Sequence, residues 1–164
     1  MSSVAMIATI VWPSPTWDMM EGMATISVTV QMPENPQGAW DKASALDRFD
    51  EWMTIHGGWC SPPPKTLSRG TEVESLVKVK GFKNTIRWTF TEYKEPELIE
   101  MSGSGKGGVR ISLTIHVRES PGGSELTLDA EFGGGVLFGP VGKVVARALD
   151  SDVKKSVANL AALK

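Results

Sequence analysis

From about Gly139 to Leu163 the chain carries apolar residues at Val141, Val144, Val145, Ala148, Leu149, Val153, Val157, Leu160 and Leu163. Steps of three and four place them on one face of an α-helix, with Lys143, Arg147, Asp150, Asp152, Lys154 and Lys155 mostly on the other. Pro140 suits the first turn, where its missing N–H costs nothing, and Gly133, Gly134 and Gly135 break the chain just upstream. Such a helix runs roughly 36 Å at 1.5 Å per residue. That is too long for a short partner helix to cover. Something broad must bury the stripe, and the middle of the chain supplies strands for it.

The strands are read from alternation. In Ala24 to Met32, Ile26, Val28, Val30 and Met32 alternate with Ser27, Thr29 and Gln31. Asn35-Pro36 then reads as an N-cap and a helix-starting proline, opening a short helix that carries Trp40, Ala43 and Leu46 inward. Asp47 is expected to cap a second short helix with Phe49, Trp52 and Met53, closed by Gly57-Gly58, and Pro62-Pro63-Pro64 after Trp59 forms an extended linker. From Gly70 onward the dry positions are Val73, Ser75, Val77 and Val79, with Leu76 an exception on the wet side. Ile86, Trp88 and Phe90 follow, then Ile99 and Met101 in Leu98 to Ser102. Next come Val109, Ile111, Leu113, Ile115 and Val117, and finally Leu126, Leu128, Ala130 and Phe132. Turns are expected at Gly81-Phe82-Lys83-Asn84, at Glu95-Pro96-Glu97, over Gly103 to Gly108 and at Pro121-Gly122-Gly123. Consecutive strands with tight turns imply an antiparallel meander, dry on one face, which twists and curls around the last helix. The fold class is α+β, with a curved antiparallel sheet of about six to seven strands, two short helices after the first strand and a long C-terminal helix.

Composition excludes several functions. The net charge of −2 over 164 residues, with scattered Lys and Arg, leaves no electrostatic footprint for nucleic acid. One cysteine, Cys60, forbids an intrachain disulfide and suits a reducing, cytoplasmic setting; with two histidines it is too little for a protein-only zinc site. Met1 to Val11 is apolar but lacks a basic lead and is shorter than the ~18 residues of a membrane span. Trp12 to Trp17, with two prolines, interrupts it. Residues 1–22 are read as a loosely ordered extension, with an upstream start or a weak signal sequence as alternatives, and 23–164 as one domain.

The order of elements is that of the helix-grip fold, and particular residues agree. Gly38-Ala39-Trp40 through Leu46-Asp47-Arg48-Phe49-Asp50-Glu51-Trp52, Gly70-Thr71, Ile86-Arg87-Trp88, Tyr93-Lys94-Glu95-Pro96 and Ser124-Glu125-Leu126-Thr127 resemble the SRPBCC superfamily, which includes START-like, Bet v1-like and polyketide cyclase/dehydrase-like proteins. The chain looks closest to small actinobacterial members, some labelled toxins of type II toxin–antitoxin pairs. The resemblance implies a deep apolar cavity between sheet and final helix, suited to lipids, polyketides or hormones. One scaffold hosts many functions, so the fold does not choose among them.

On that frame the expected lining is Trp40, Phe49, Trp52, Trp59, Val73, Ser75, Val77, Ile86, Trp88, Phe90, Met101, Ile111, Leu113, Ile115, Leu128, Phe132, Phe138, Val141 and Val145. Pockets are largely apolar and aromatic with few polar anchors. Val136-Leu137-Phe138 stands as an apolar gate near the mouth. Strand parity puts Arg87, Glu100, Arg110, His116, Asp129 and Glu131 outside, unless a one-residue bulge reverses it. Ser75 is the one polar residue in its row, His56 lies near the entrance after the second helix, and Cys60 has no base partner. Gly103-Ser104-Gly105-Lys106-Gly107-Gly108 fits G-x-G-x-x-G, but strands on both sides make it a hairpin loop. No catalytic residue, metal or cofactor is expected. The leading expectation is a binding module for a small apolar ligand, as a monomer or homodimer. A polyketide cyclase/aromatase-like enzyme using Ser75 or His56 is one alternative. A toxin component with an antitoxin-like protein partner is the other.

Overall fold

The computed structural model describes residues 23–134 and 139–164; the expected extension 1–22, Gly135 and the Val136–Phe138 gate lie outside the described residues. Seven strands, β1 (Met23–Met32), β2 (His56–Trp59), β3 (Glu72–Val79), β4 (Phe82–Lys94), β5 (Leu98–Ser104), β6 (Arg110–Ser120) and β7 (Gly123–Gly133), form one antiparallel sheet. Their order is β1-β7-β6-β5-β4-β3-β2, so the first strand pairs with the last. Helix α1 (Pro36–Ser44), a 3₁₀ turn (Leu46–Arg48) and helix α2 (Phe49–Trp52) follow β1, and helix α3 (Gly139–Ala162) closes the fold.

The dry and wet faces fall as alternation requires. Val28, Met32, Ile86, Trp88, Phe90, Met101, Leu113 and Leu126 are all buried on the inner face, against Val145, Leu149, Val153, Val157 and Leu160 of α3. Asn35 caps α1 by accepting from the Gly38 N–H at 2.9 Å, with Pro36 in the first turn.

Local chemistry departs from the sequence reading in five places. Asp47 caps nothing: it sits inside the 3₁₀ turn, and α2 starts after Arg48 without a side-chain cap. His56-Gly57-Gly58-Trp59, expected to end the helical segment, is instead an edge strand with a bulge between His56 and Gly58, where the Leu76 side chain lies over Gly57. The expected four-residue turn after Lys80 is a two-residue one: Lys80 and Gly81 both have positive φ (50° and 85°), the geometry of a type I′ hairpin, and Phe82 already belongs to β4. Gly103 and Ser104 extend β5 rather than opening the loop. Val144, assigned to the buried stripe, is 49 % exposed. A further bulge between Phe90 and Glu92 reverses parity, so Tyr93 turns inward to meet Trp40 at 5.3 Å.

The two ends of α3 are held differently. Near its C-terminus, the Thr54 N–H donates to Ser156 Oγ at 2.9 Å, Asn159 Nδ2 donates to the Trp52 carbonyl at 3.2 Å, and Arg48 donates to the Lys164 carbonyl at 2.7 Å. Lys42, buried beside Glu34, donates to the Leu163 carbonyl. Over its first turns, among the described residues, α3 meets the sheet through Val145 and Leu149 alone as buried side chains.

Candidate functional site

Beneath the Val145 and Leu149 side chains of α3 lies an apolar cavity of about 120 Å³, lined by Val77, Val79, Phe82, Lys83, Asn84, Ile86, Val109, Ile111, Phe132, Val145 and Leu149. Its polar members stand at the rim. Asn84 is spent on structure: its amide donates to the Lys106 carbonyl at 3.1 Å and accepts from the Lys106 N–H at 3.0 Å. Phe82, on the β3–β4 hairpin, and Val144, on α3, are each 49 % exposed. Gly134, at φ 81°, closes the β7 end against the β5–β6 turn. A Cβ there would fall 2.5 Å from the Gly108 carbonyl oxygen, so only glycine fits.

A second, smaller space of about 10 Å³ lies beside the edge strand β2, lined by Phe49, Met53, Ile55, His56, Trp59, Ser75, Val77, Trp88, Met101 and Leu113. Val77 borders both spaces. The aromatic residues here are interlocked. The His56 ring lies 4.7 Å from Trp59 and 5.9 Å from Phe49, and Trp59 Nε1 donates to the Leu46 carbonyl at 2.8 Å. Burial pushes the His56 imidazole below its ordinary pKa, opposed by the charge of Asp50. Trp88 Nε1 donates to Ser75 Oγ at 2.9 Å, and Ser75 is buried.

Of the expected lining, Val77, Ile86, Ile111, Phe132 and Val145 meet at the larger space, and Phe49, Trp59, Ser75, Val77, Trp88, Met101 and Leu113 at the smaller. Trp40, Trp52, Val73, Phe90, Ile115 and Leu128 are buried but border neither; they fill the core. Phe138 and the Val141 side chain lie outside the described residues. Sequence reasoning missed Phe82, which it placed in a turn, and Ile55; Val79, Val109 and Met53 were read on inward faces but not as lining. Leu149 was visible on the helix stripe but not as cavity wall.

Two wider concavities lie outside the sheet and helix. One, of about 520 Å³, runs along the wet face past Thr25, Ser27, Thr91, Glu100, Ser102, Ser112, Thr114, Asp129 and Glu131; Glu100, Asp129 and Glu131 thus face outward as expected. The other, of about 560 Å³, lies between Lys80 and the Val144, Arg147, Ala148, Ser151 and Asp152 side of α3. Neither offers the enclosed apolar wall that removes a nonpolar molecule from water. Cys60 and His116 are exposed. Among the described residues no group of three His, Cys, Asp or Glu side chains is placed to hold a metal ion, and no helix is long and apolar enough to cross a membrane.

Comparison with known proteins agrees with this architecture. A sequence profile of the family described as polyketide cyclase/dehydrase and lipid transport matches residues 23–163. A Mycobacterium tuberculosis protein named Toxin Rv0910 is 44 % identical over 137 residues, covering 84 % of this chain and 95 % of that protein. Uncharacterized protein Rv1546 of the same organism is 40 % identical over 141 residues, covering 86 % and 99 %. Among solved structures, TTHA0849 from Thermus thermophilus superposes with a TM-score of 0.67 at 12 % identity, over 85 % of this chain and 94 % of that one, a likeness of fold alone. With a family profile spanning the sheet and α3, the chain belongs to the polyketide cyclase/dehydrase and lipid transport family.

Proposed function

We propose that this protein binds a small apolar ligand between the inner face of the sheet and the N-terminal half of α3. The observation that carries the reading is the cavity of about 120 Å³ whose walls, away from the rim, are entirely aliphatic or aromatic. A well-packed core leaves few voids larger than a water. Apolar space beneath Val145 and Leu149 of α3 supports the reading. It is smaller than the roughly 300–1,000 Å³ of ligand pockets, so a lipid-sized guest requires the first turns of α3 to move outward. Hydrogen bonds to Ser156 and Asn159 hold the far end of the helix in place while that movement occurs.

Native mass spectrometry of the protein as purified, followed by denaturing extraction into organic solvent, tests the reading. The expected result is a co-purifying apolar molecule, or a rise in melting temperature across a panel of lipids and small aromatics. A ligand at a hundred times its Kd adds about 2.7 kcal/mol to stability. An empty protein whose melting temperature no panel member moves overturns it.

A second reading is favoured by the name of one relative, Toxin Rv0910. In it the protein acts as a toxin held in check by an antitoxin-like partner protein. Growth arrest on induced expression, relieved by co-expression of a small neighbouring gene, is the expected result; unchanged growth removes the reading.

A further inference from the structure

The smaller of the two inner spaces has a polarity, set by three strands acting on one another. Trp88 on β4 stands opposite Gly103 on β5. A Cβ at Gly103 would lie 2.8 Å from Trp88 Cε3 and 2.5 Å from Ile86 Cγ2, so the indole occupies the space that any side chain there would need. Held in that position, Trp88 directs its Nε1–H at Ser75 Oγ on β3, 2.9 Å away. An indole N–H can only donate. Ser75 Oγ is therefore the acceptor of that bond, and its own hydroxyl proton is left to donate. Among the described residues that proton has no acceptor, although Ser75 is only 2 % exposed. Buried donors are nearly always satisfied.

The neighbouring His56 makes no side-chain hydrogen bond among the described residues either, and it borders the same space. That space, about 10 Å³, is close to the minimum for one water-sized group. Only Val77 is common to it and to the larger apolar cavity.

We propose that the Ser75 hydroxyl is the polar anchor of the inner site, and that the ligand is an uncharged apolar molecule whose buried end carries a carbonyl oxygen. This rests on the ligand-binding reading above and specifies its chemistry. A hydrocarbon leaves the Ser75 proton unpaired. An ionised carboxylate brings a charge into a space with no cation bordering it, which costs more than one hydroxyl bond returns. A ketone, aldehyde or ester oxygen accepts from Ser75, with its apolar body continuing past Val77 towards Ile86, Phe132 and Leu149.

The test uses three probes of matched size: acetophenone, ethylbenzene (in which CH₂ replaces the carbonyl) and benzoate. Binding to the full-length protein is followed by calorimetry. Acetophenone is expected to bind about two- to tenfold more tightly than ethylbenzene, the range of one net hydrogen bond, and benzoate more weakly than either. In Ser75→Ala, acetophenone falls to the level of ethylbenzene, whose own affinity is retained. Should that variant fail to fold, the infrared carbonyl stretch of acetophenone bound to the unmodified protein decides: a shift to lower frequency than in alkane is expected. Equal binding of acetophenone and ethylbenzene, an unshifted stretch, or tighter binding of benzoate overturns the anchor while leaving the cavity as a binding site. If no probe binds, the cavity reading falls, and the anchor with it.

Discussion

The two halves of α3 are built from the same apolar spacing and do different work. From Asp152 onward the helix combines buried Val153, Val157 and Leu160 with hydrogen bonds to Thr54, Trp52, Lys42 and Arg48. Before Asp150 it offers Val145 and Leu149 to the cavity and leaves Lys143, Val144 and Arg147 in water. Among the described residues, directional bonds from α1, the 3₁₀ turn, α2 and Thr54 fix the C-terminal end, and apolar contact through Val145 and Leu149 covers the cavity at the other. A helix so attached can hinge over a binding space without unfolding the domain.

The largest expected effect is Leu160→Ala, which empties a fully buried position at the fastened end and should cost about 4 kcal/mol in urea unfolding. Leu149→Ala removes the same atoms from a wall that already borders empty space, so about 2 kcal/mol is expected. Equal losses would break the contrast between the halves. Ser156→Ala strands the half-buried Thr54 N–H and should cost about 1 kcal/mol, with little change in acetophenone affinity. Amide hydrogen exchange sharpens the comparison. Residues 145–149 should open at least tenfold more readily than 153–160, about 1.4 kcal/mol less protection. The smallest effect concerns pH. The His56 imidazole has its pKa lowered by burial in the folded chain, so the unfolded chain binds the extra proton first. Stability is then constant well above pH about 6.5 and declines as pH falls through that value toward the folded pKa. His56→Gln should flatten the decline in melting temperature measured from pH 8 to pH 5.

Much of this was legible in the sequence. The stripe on α3 demanded a sheet, alternation supplied most of it, and Asn35-Pro36 marked the start of α1 to the residue. What escaped was decided by contacts distant in the chain. The His56–Trp59 segment, with two glycines and no alternation, becomes a strand only because β3 offers it an edge. Asp47 has good capping chemistry, but the chain turns there as a 3₁₀ segment already fixed by the Arg48 N–H bonding to the Ala45 carbonyl. The site was half legible: periodicity identified inward residues but could not say which of them leave space. Phe90 and Leu128 fill the core while Ile86 and Phe132 border a void, and the four share the same strand alternation in sequence. The pairing of Ser75 with Trp88 needed β3 and β4 in register, which no spacing within either strand reveals.

The pairing of β1 with β7 has a consequence for how the protein is made. Thr29 and Thr127 share a cross-strand hydrogen bond at 2.9 Å although they stand 98 positions apart. During synthesis, at roughly 5–20 residues per second, the first strand leaves the ribosome several seconds before its partner exists. The β3–β6 meander can form while β1 waits, an amphipathic ribbon with a bare edge. Loop closure over that distance is slow, and exposed strands of this kind are the usual starting points of misassembly. Chaperone dependence in the nascent chain is therefore expected to end only when the Gly123–Gly133 strand emerges.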